Sequence, residues 1–260
     1  MSASAGSIKW KCPSNIALIK YWGKHGNQLP CNPSMSYTLD QAHTITSLKY
    51  EKGKSDLTFY LDDEPNEKFK RRIQKFIHAL SEKEMPFLKN YALEINSSNS
   101  FPHSSGIASS ASGMGALALC LSTLEEEVGN TAPSFLQRAS HIARLGSGSA
   151  CRSVYGHLAL WGESEIDEDS SDNYATKIAG AINPEFLEVR DSILIISKGK
   201  KSVSSSAGHA LMNNHPYADQ RFLQAKVNLK DLFNVMKSND WEAWGEIIEK
   251  EALSLHAMMM

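Results

Sequence analysis

The hydrophobic and polar positions of the chain follow two different periods. Alternation over residues 44–50 and a β-rich run over residues 56–61 predict two strands that pair as a hairpin. Residues 91–95 alternate in the same way and predict a third strand. The basic residues within 68–75 are interpreted as the solubilising face of an amphipathic helix. That helix is predicted by apolar residues at i, i+4, i+7, i+8 and i+11, namely Phe69, Ile73, Phe76, Ile77 and Leu80.

Two capping boxes mark helix starts in the second half of the chain. They are Ser134 with Gln137, and Asn239 with Glu242. The elements predicted there are a helix from the first box to about residue 144, a buried strand over 192–196, and helices over 217–236 and 239–256.

Length and composition narrow the class of protein. The 260 residues are enough for one two-lobed domain or two small domains. A formal charge of −2 provides no basic footprint for nucleic acid. The four cysteines are scattered without a Cys-x-x-Cys pair, which argues against a zinc site or a disulfide framework and suits a reducing cytoplasm. No apolar stretch approaches the ~18 residues of a membrane span, so we expect neither secretion nor insertion.

Residues 101–115 are the first candidate binding segment. They open with a proline, continue through small hydroxyl and glycine residues, and lead into the apolar run 116–121. This pattern predicts a loop that presents backbone N–H groups at a helix start, where a phosphate is favoured. Ser109 and Ser110 could add hydroxyl contacts to phosphate or to Mg²⁺. The alternative is a Ser/Gly-rich loop before a buried helix, and neither common nucleotide motif, Gly-x-x-x-x-Gly-Lys-Ser/Thr or Gly-x-Gly-x-x-Gly after a strand, occurs.

Two further segments favour anion binding. The Gly-Ser-Gly-Ser run at 146–149 offers amides and hydroxyls, and Arg152 adds a planar fork that binds carboxylate or phosphate bidentately. Arg152 also closes a turn whose neighbours offer no apolar cover, so we expect it to lie outside the core. Lys20 and Lys24 flank Gly23, where the backbone allows close approach of a ligand. Taken alone, such lysines are usually solvated surface groups.

Three of these motifs resemble those of a known family. Pro-x-x-x-Gly-Ile-Ala-Ser-Ser-Ala, starting at Pro102, resembles the phosphate loop of the GHMP kinase superfamily. Asn-Ile-Ala-x-x-Lys-Tyr-Trp-Gly-Lys at 15–24 and Gly-Ser-Gly-Ser-Ala-Cys-Arg-Ser at 146–153 closely resemble segments of the diphosphomevalonate decarboxylases. Residues 200–209 are similar to a further family segment, with His209 where a methionine is usual. In motif order the resemblance extends from Lys11 to His256.

The resemblance implies a fold and a reaction. The fold is α+β, of the GHMP-kinase type, with a ribosomal-protein-S5-like N-terminal lobe at 1–187 and the start of a C-terminal lobe at 188–260 around a deep cleft. The reaction is the Mg–ATP-dependent decarboxylation of mevalonate 5-diphosphate to isopentenyl diphosphate, in the cytoplasm, by a possible homodimer. The implied catalytic residues are Arg152, Lys20 and Ser110; the implied substrate ligands are Tyr21, Lys24, Ser147, Gly148, Ser149 and Arg152; the implied ATP ligands are Asn99, Ser104, Ser105, Gly106, Ser109 and Ser110; no metal-ligating residues are implied.

One departure from the family pattern bears on activity. Family members carry an Asp-Ala-Gly-Pro-Asn segment whose aspartate is the proposed base for the 3-hydroxyl, and no Asp-Ala-Gly occurs in these 260 residues. We expect a truncated chain that binds nucleotide or diphosphate weakly and turns over poorly or not at all. Two alternatives stay open: a related GHMP kinase or decarboxylase that acts on mevalonate or its monophosphate, and a non-catalytic relative that binds nucleotide or isoprenoid phosphate.

Overall fold

The computed structural model describes residues 3–102, 107–178, 182–194 and 205–259. Within these ranges the chain forms a mixed α+β structure. The strands are β1 Ala5–Ile19, β2 Lys24–His25, β3 Leu29–Pro30, β4 Ser34–Lys52, β5 Asp56–Leu61, β6 Glu64–Pro65, β7 Tyr91–Asn99, β8 Leu158–Trp161 and β9 Ala175–Lys177. The helices are α1 Glu67–Lys83, α2 Ser109–Glu127, α3 Phe135–Gly146, α4 Ala150–Ser153, α5 Ser205–Ala210, α6 Ala218–Ser238 and α7 Trp241–Ala257, with short 3₁₀ turns at Pro86–Asn90 and Pro184–Leu187.

The long strand β4 organises the main sheet. The strand order is β6-β5-β7-β4-β8-β9, and β1 pairs antiparallel with β4 along most of its length. The β1–β4 register shifts between Pro13 and Ser14. Irregularities of this kind re-aim side chains next to functional sites, and the residues that follow this one enter the candidate site described below.

The predicted hairpin between residues 44–50 and 56–61 is wrong, although both segments are strands. β7 lies between them: it pairs antiparallel with β4 and parallel with β5. Parallel neighbours need a crossover connection, and α1 supplies it between β5 and β7. The strand predicted at 91–95 and the amphipathic helix at 67–83 are confirmed, and Ile73, Ile77 and Leu80 are buried.

Two other predictions from the second half need correction. Residues 192–194 are not a strand, and Leu194 is 83 % exposed; residues 195 and 196 lie outside the described residues. The cap of α7 is Asp240, which accepts from the Ala243 N–H, whereas Asn239 adopts the left-handed conformation that ends α6. Ser134 caps α3 as predicted, accepting from the Gln137 N–H.

The two largest of the apolar clusters among the described residues hold most of the elements together. One lies between the sheet and helices α1 and α2, and includes Leu48, Ile95 and Leu117. The other joins the end of β1 and β8 to α6, and includes Ile19 and Leu229. Among the helices of the described ranges, none is long and apolar enough to cross a bilayer.

Candidate active site

A cavity of about 320 Å³ lies between α1, α2 and the sheet. Its polar side includes Asn99, Ser109 and Ser110, so the structure brings together three of the residues predicted to contact ATP. The remaining predicted contacts, Ser104, Ser105 and Gly106, lie outside the described residues. The volume is at the lower end of the range of small-molecule sites.

The rest of the cavity wall is apolar with two cations at its edge. Phe59, Phe69 and Met114 are among its apolar residues, and Lys68 and Arg72 of α1 also line it. Both side chains are also exposed, so the interpretation of the basic residues within 68–75 as a solubilising face stays a prediction. The helical period places Lys68 and Arg72 one turn apart on the side of α1 that meets the cavity.

The start of α2 has the geometry expected of an anion site. Ala108, which precedes the helix, has φ of 51°, a left-handed conformation that is uncommon for a residue with a side chain. No side chain caps this helix start. The positive end of the helix dipole lies at this start, and Ser110 is exposed beside it.

A hydrogen-bonded chain positions Asn99 at the cavity. Thr44 Oγ1 donates to Asn99 Oδ1 at 2.6 Å and lies 2.7 Å from Ser112 Oγ. Thr44 is on β4, Asn99 ends β7, and Ser112 is in the first turns of α2. The contact between the sheet and the helix start is thus polar at this point, and it holds the amide side chain in place.

Arg152 forms the centre of a second cluster. Its side chain is 2 % exposed, and it donates to Ser36 Oγ at 3.0 Å, Ser34 Oγ at 2.6 Å and Asn15 Oδ1 at 3.3 Å. Its guanidinium carbon lies 5.7 Å from the centre of the Trp161 ring. The predictions that Arg152 lacks apolar cover and lies outside the core are both wrong, because the side chain is buried and β8 supplies the indole.

The electrostatics of Arg152 favour an anionic ligand. Among the described residues no carboxylate pairs with its guanidinium. Burial lowers the pKa of Arg152, and its side chain remains a cation because the normal arginine pKa is very high. A buried charge with only neutral partners is costly, and an anion placed beside it would reduce that cost.

Tyr21 and the Gly-Ser-Gly-Ser turn meet next to this arginine. The Tyr21 ring packs on Trp161 with centroids 4.7 Å apart. A Cβ atom at Gly148 would lie 2.7 Å from the Tyr21 hydroxyl, so only glycine allows this approach. That hydroxyl is buried without a hydrogen-bond partner among the described residues. Ser147 ends α3 and Ser149 precedes α4 on either side of Gly148.

Two lysines complete the cationic character of the cluster. Lys20 Nζ donates to the Ala17 carbonyl at 2.7 Å, and Lys24 Nζ donates to Gln28 Oε1 at 2.9 Å. Burial lowers the pKa of Lys20. The charge of Glu251 acts against this shift, and the charge of Arg152 adds to it. Both ammonium groups have neutral partners that a ligand oxygen could replace.

Strand β1 joins the cavity to the arginine cluster. Ser14 Oγ donates to the Ile107 carbonyl at 2.5 Å, next to the start of α2. The next residue, Asn15, donates to the Ser149 carbonyl at 3.1 Å and to Ser153 Oγ at 2.7 Å, and it accepts from Arg152. Two adjacent residues of one strand therefore link the start of α2 to the arginine cluster.

Sequence reasoning did not assign roles to several residues here. Ser34 and Ser36 receive the Arg152 hydrogen bonds, and Glu251 accepts from the Lys20 N–H at 3.0 Å. No local motif marks these positions. His209, which differs from the family motif, contacts Tyr21, and that difference was the available signal.

In the described part of the chain, no three His, Cys, Asp or Glu side chains are grouped so as to hold a metal ion. The oxygen donors near the start of α2 are hydroxyls and an amide. Such a set fits Mg²⁺ that is held mainly by nucleotide phosphates and water, as is usual for that ion.

Comparison with known proteins identifies the family. The family model described as the diphosphomevalonate decarboxylase-like N-terminal domain matches residues 12–172. The chain belongs to the diphosphomevalonate decarboxylase-like family. It is 33 % identical to the diphosphomevalonate decarboxylase of Gibberella zeae, over 94 % of this chain and 66 % of the relative. The chain thus spans just under two thirds of that relative's length.

Comparison with solved structures agrees with this family assignment. The crystal structure of mevalonate diphosphate decarboxylase from Staphylococcus aureus matches with a TM-score of 0.78 and 28 % identity, covering 98 % of this chain and 74 % of that one. The structure of MDDEF in complex with MVAPP, AMPPCP and magnesium matches with a TM-score of 0.78 and 29 % identity, covering 98 % and 75 %. The predicted α+β fold of the GHMP-kinase type is confirmed, and the division at residue 187 stays a prediction.

Proposed function

We propose that this protein takes part in the ATP-dependent decarboxylation of mevalonate 5-diphosphate to isopentenyl diphosphate. The observation that carries the proposal is Arg152, a buried cation whose described hydrogen-bond partners are all neutral. A decarboxylase of a diphosphorylated acid needs such a group, because its substrate has two anionic ends. Membership of the family and the MVAPP present in the MDDEF structure support the same choice.

The arginine cluster is the proposed substrate-binding region. Arg152 would bind the carboxylate or the diphosphate through its planar fork. Lys20 and Lys24 would neutralise diphosphate oxygens, and the hydroxyl of Tyr21 would donate to one of them. The Ser147–Ser149 turn would contribute amide and hydroxyl donors; Gly148 leaves the room that this requires.

The cavity at the start of α2 is the proposed ATP-binding region. Its apolar wall suits an adenine ring, and the amides at the start of α2 suit phosphate oxygens. Asn99, Ser109 and Ser110 would contact the phosphates or their Mg²⁺. The MDDEF complex with AMPPCP and magnesium supports this pair of ligands. When bound, Mg²⁺ neutralises charge on the transferring phosphoryl group.

The residues described here would then act by position and charge. The substrate's 3-hydroxyl would be held in line with the terminal phosphate of ATP. Such positioning, together with charge stabilisation, provides most of the catalysis of phosphoryl transfer. Phosphate and carbon dioxide leave afterwards. Carbon dioxide leaves as a neutral molecule and phosphate as an anion, and Arg152, Lys20 and Lys24 would stabilise the anionic groups while the carboxylate is held.

The test measures binding and turnover separately, so that a protein that binds its ligands can be distinguished from one that also converts them. Binding of mevalonate 5-diphosphate is measured by calorimetry with Mg–AMPPCP present, and carbon dioxide release is measured with Mg–ATP over long incubation. We expect saturable binding, and release that requires both ligands and yields ADP and phosphate in equal amounts.

Mevalonate and its monophosphate are the matched controls. Equal binding of either compound would favour the related kinase or decarboxylase. Binding of the diphosphate with no product after long incubation would favour the non-catalytic relative. A cytoplasmic location and a homodimeric state stay predictions from the sequence.

A further inference from the structure

His209, on α5, packs against the segment that connects β1 to β2. Its imidazole lies 4.4 Å from the Tyr21 ring and 4.7 Å from the Trp22 ring, measured between ring centres. Its Nδ1 atom accepts a hydrogen bond from the Gly23 N–H at 3.1 Å. One side chain thus contacts three consecutive residues of the segment that carries Tyr21 and Lys24, and it is only 9 % exposed.

The hydrogen bond defines the state of this histidine. Because Nδ1 is the acceptor, the proton of the neutral ring is on Nε2. Burial, and then the nearby charges of Lys24 and Arg152, lower the pKa of His209 to about 4. At neutral pH the side chain is therefore an uncharged acceptor for the backbone of Gly23.

The segment that His209 contacts has an unusual conformation. Gly23 has φ of 88°, in the left-handed region, and a Cβ atom there would lie 2.9 Å from the Phe222 ring of α6. The polar atoms Tyr21 Oη and Trp22 Nε1 are buried without partners among the described residues. The local chain has few other polar contacts that could hold the direction of these rings.

We propose that His209 is a positioning residue for the anionic substrate. Its hydrogen bond from the Gly23 N–H holds residues 20–24 so that the Tyr21 hydroxyl and the Lys24 ammonium converge with Arg152. The residue acts through its neighbours and as a neutral group. The inference rests on the proposed function, since the substrate it serves is the diphosphate bound by those residues.

The test uses two substitutions that separate the acceptor from the ring. In His209→Asn the amide oxygen can take the place of Nδ1 and accept from Gly23. In His209→Phe the ring contacts are retained and the acceptor is lost. His215→Phe is the matched control, because His215 Nδ1 also accepts a backbone N–H, from Tyr217 at 3.2 Å, and the ring also contacts a tyrosine, that of Tyr217.

Two measurements are made on each variant. The KM values for mevalonate 5-diphosphate and for ATP are compared with kcat at pH 6, 7 and 8, and the binding of inorganic pyrophosphate is measured by calorimetry. We expect His209→Phe to raise the substrate KM and the pyrophosphate Kd roughly tenfold or more, since small misplacements of binding groups are costly. The KM for ATP should change less than twofold. His209→Asn and His215→Phe should remain within about twofold of the parent protein at all three pH values.

Different outcomes overturn the inference in different ways. Parent-like binding by His209→Phe would mean that the acceptor does not position the segment. Equal loss in His209→Asn would mean that the ring contacts, not the acceptor, position the segment. A parent affinity that falls steeply from pH 6 to pH 8 and is flat in His209→Asn would mean direct binding by an imidazolium. If His209→Phe fails to fold, His209→Leu takes its place in the same comparison.

Failure of the proposed function would be recognised separately. A parent protein that releases no carbon dioxide would contradict that function, whereas pyrophosphate binding would still decide the role of His209. A parent protein that does not bind pyrophosphate overturns the inference as well, because there would be no anion for residues 20–24 to bind.

Discussion

Arg152 and Arg144 are both buried arginines, yet their surroundings differ. Arg144 donates to the backbone carbonyls of Asn173 and Asn27, at 2.8 and 2.5 Å, and so fastens two loops to the end of α3. Arg152 donates to two serine hydroxyls and one amide, on strands β1 and β4. Hydroxyls reorient more easily than carbonyls when a donor is removed, so the two residues should respond differently to substitution.

We expect Arg152→Met to separate activity from stability. The substitution removes a buried charge that has no described carboxylate partner, so the free energy of unfolding should change by less than about 1 kcal/mol or should rise. The loss of charge-assisted bonds to substrate should lower kcat/KM, by an amount that corresponds to roughly 2–4 kcal/mol of activation free energy. Urea denaturation and steady-state kinetics measure the two quantities.

Arg144→Met provides the control for this prediction. Two hydrogen bonds from a charged group to the Asn27 and Asn173 carbonyls would be lost, and each such bond typically contributes about 1.5–3 kcal/mol. The free energy of unfolding should therefore fall. If Arg152→Met were the more destabilised of the two and kept its kcat/KM, Arg152 would be a structural residue.

At the scale of elements, helix α2 begins where it can face a nucleotide. Its first turn lines the cavity, and its following turns are almost wholly buried against β1, β4 and α3. Gly115 allows this close packing, because a Cβ atom there would overlap the Cys12 sulfur. The buried part of the helix thus fixes the position of the exposed first turn.

We expect Ser110→Leu to weaken nucleotide binding without unfolding the protein. Ser110 is exposed at the start of α2, so a larger side chain meets solvent in the free protein but displaces phosphate oxygens in the complex. The KM for ATP should rise about tenfold, and the KM for mevalonate 5-diphosphate should change little. Steady-state kinetics with each substrate varied in turn measures both.

Ser110→Ala is the partner variant. It removes the hydroxyl and leaves the space, so a smaller increase in the ATP KM measures the hydroxyl contact alone. If Ser110→Leu binds nucleotide as well as the parent protein does, the ATP phosphates do not bind beside Ser110.

At the scale of the molecule, one buried carboxylate ties the last two helices to the sheet. Glu251 on α7 is fully buried and accepts two hydrogen bonds from Arg221 of α6, at 3.1 and 2.7 Å. It also accepts from Asn228 Nδ2 at 2.7 Å and from the Lys20 N–H at 3.0 Å. The end of β1, which leads into the candidate site, is therefore held by residues more than two hundred positions later.

We expect Glu251→Gln to destabilise the protein by about 3–5 kcal/mol, because Arg221 would remain buried without its counter-charge. Glu249→Gln, an exposed position on the same helix, should change the free energy of unfolding by less than about 0.5 kcal/mol. Urea denaturation of both variants measures the difference.

A double substitution tests whether the loss of stability comes from the unpaired charge of Arg221. Replacing Glu251 and Arg221 together by methionine removes both charges and should recover most of the lost stability. Additive losses in the double variant would show that the pair acts through something other than its charges.

The elements that depend on near neighbours could be predicted from the sequence alone. Helix α1 follows the spacing of Ile73, Ile77 and Leu80, and α3 begins after Ser134, because apolar stripes and caps involve residues three or four positions apart. Ser109 and Ser110 were placed at a helix start by the local pattern, whereas Asn99 joined them only through the family resemblance. The resemblance of three short motifs was enough to indicate the family.

Only the tertiary structure decided which strands are neighbours and which distant side chains are in contact. Periodicity marks a strand but not its neighbour, so it could not show that β7 separates β5 from β4. The capping pattern at Asn239 was local and still misleading, since the chain turns there and Asp240 caps α7. Arg152 over Trp161, His209 on Gly23 and Glu251 at Lys20 join distant parts of the chain. Such contacts form because burial of apolar surface and pairing of polar groups are decided by the whole fold, and no local pattern encodes them.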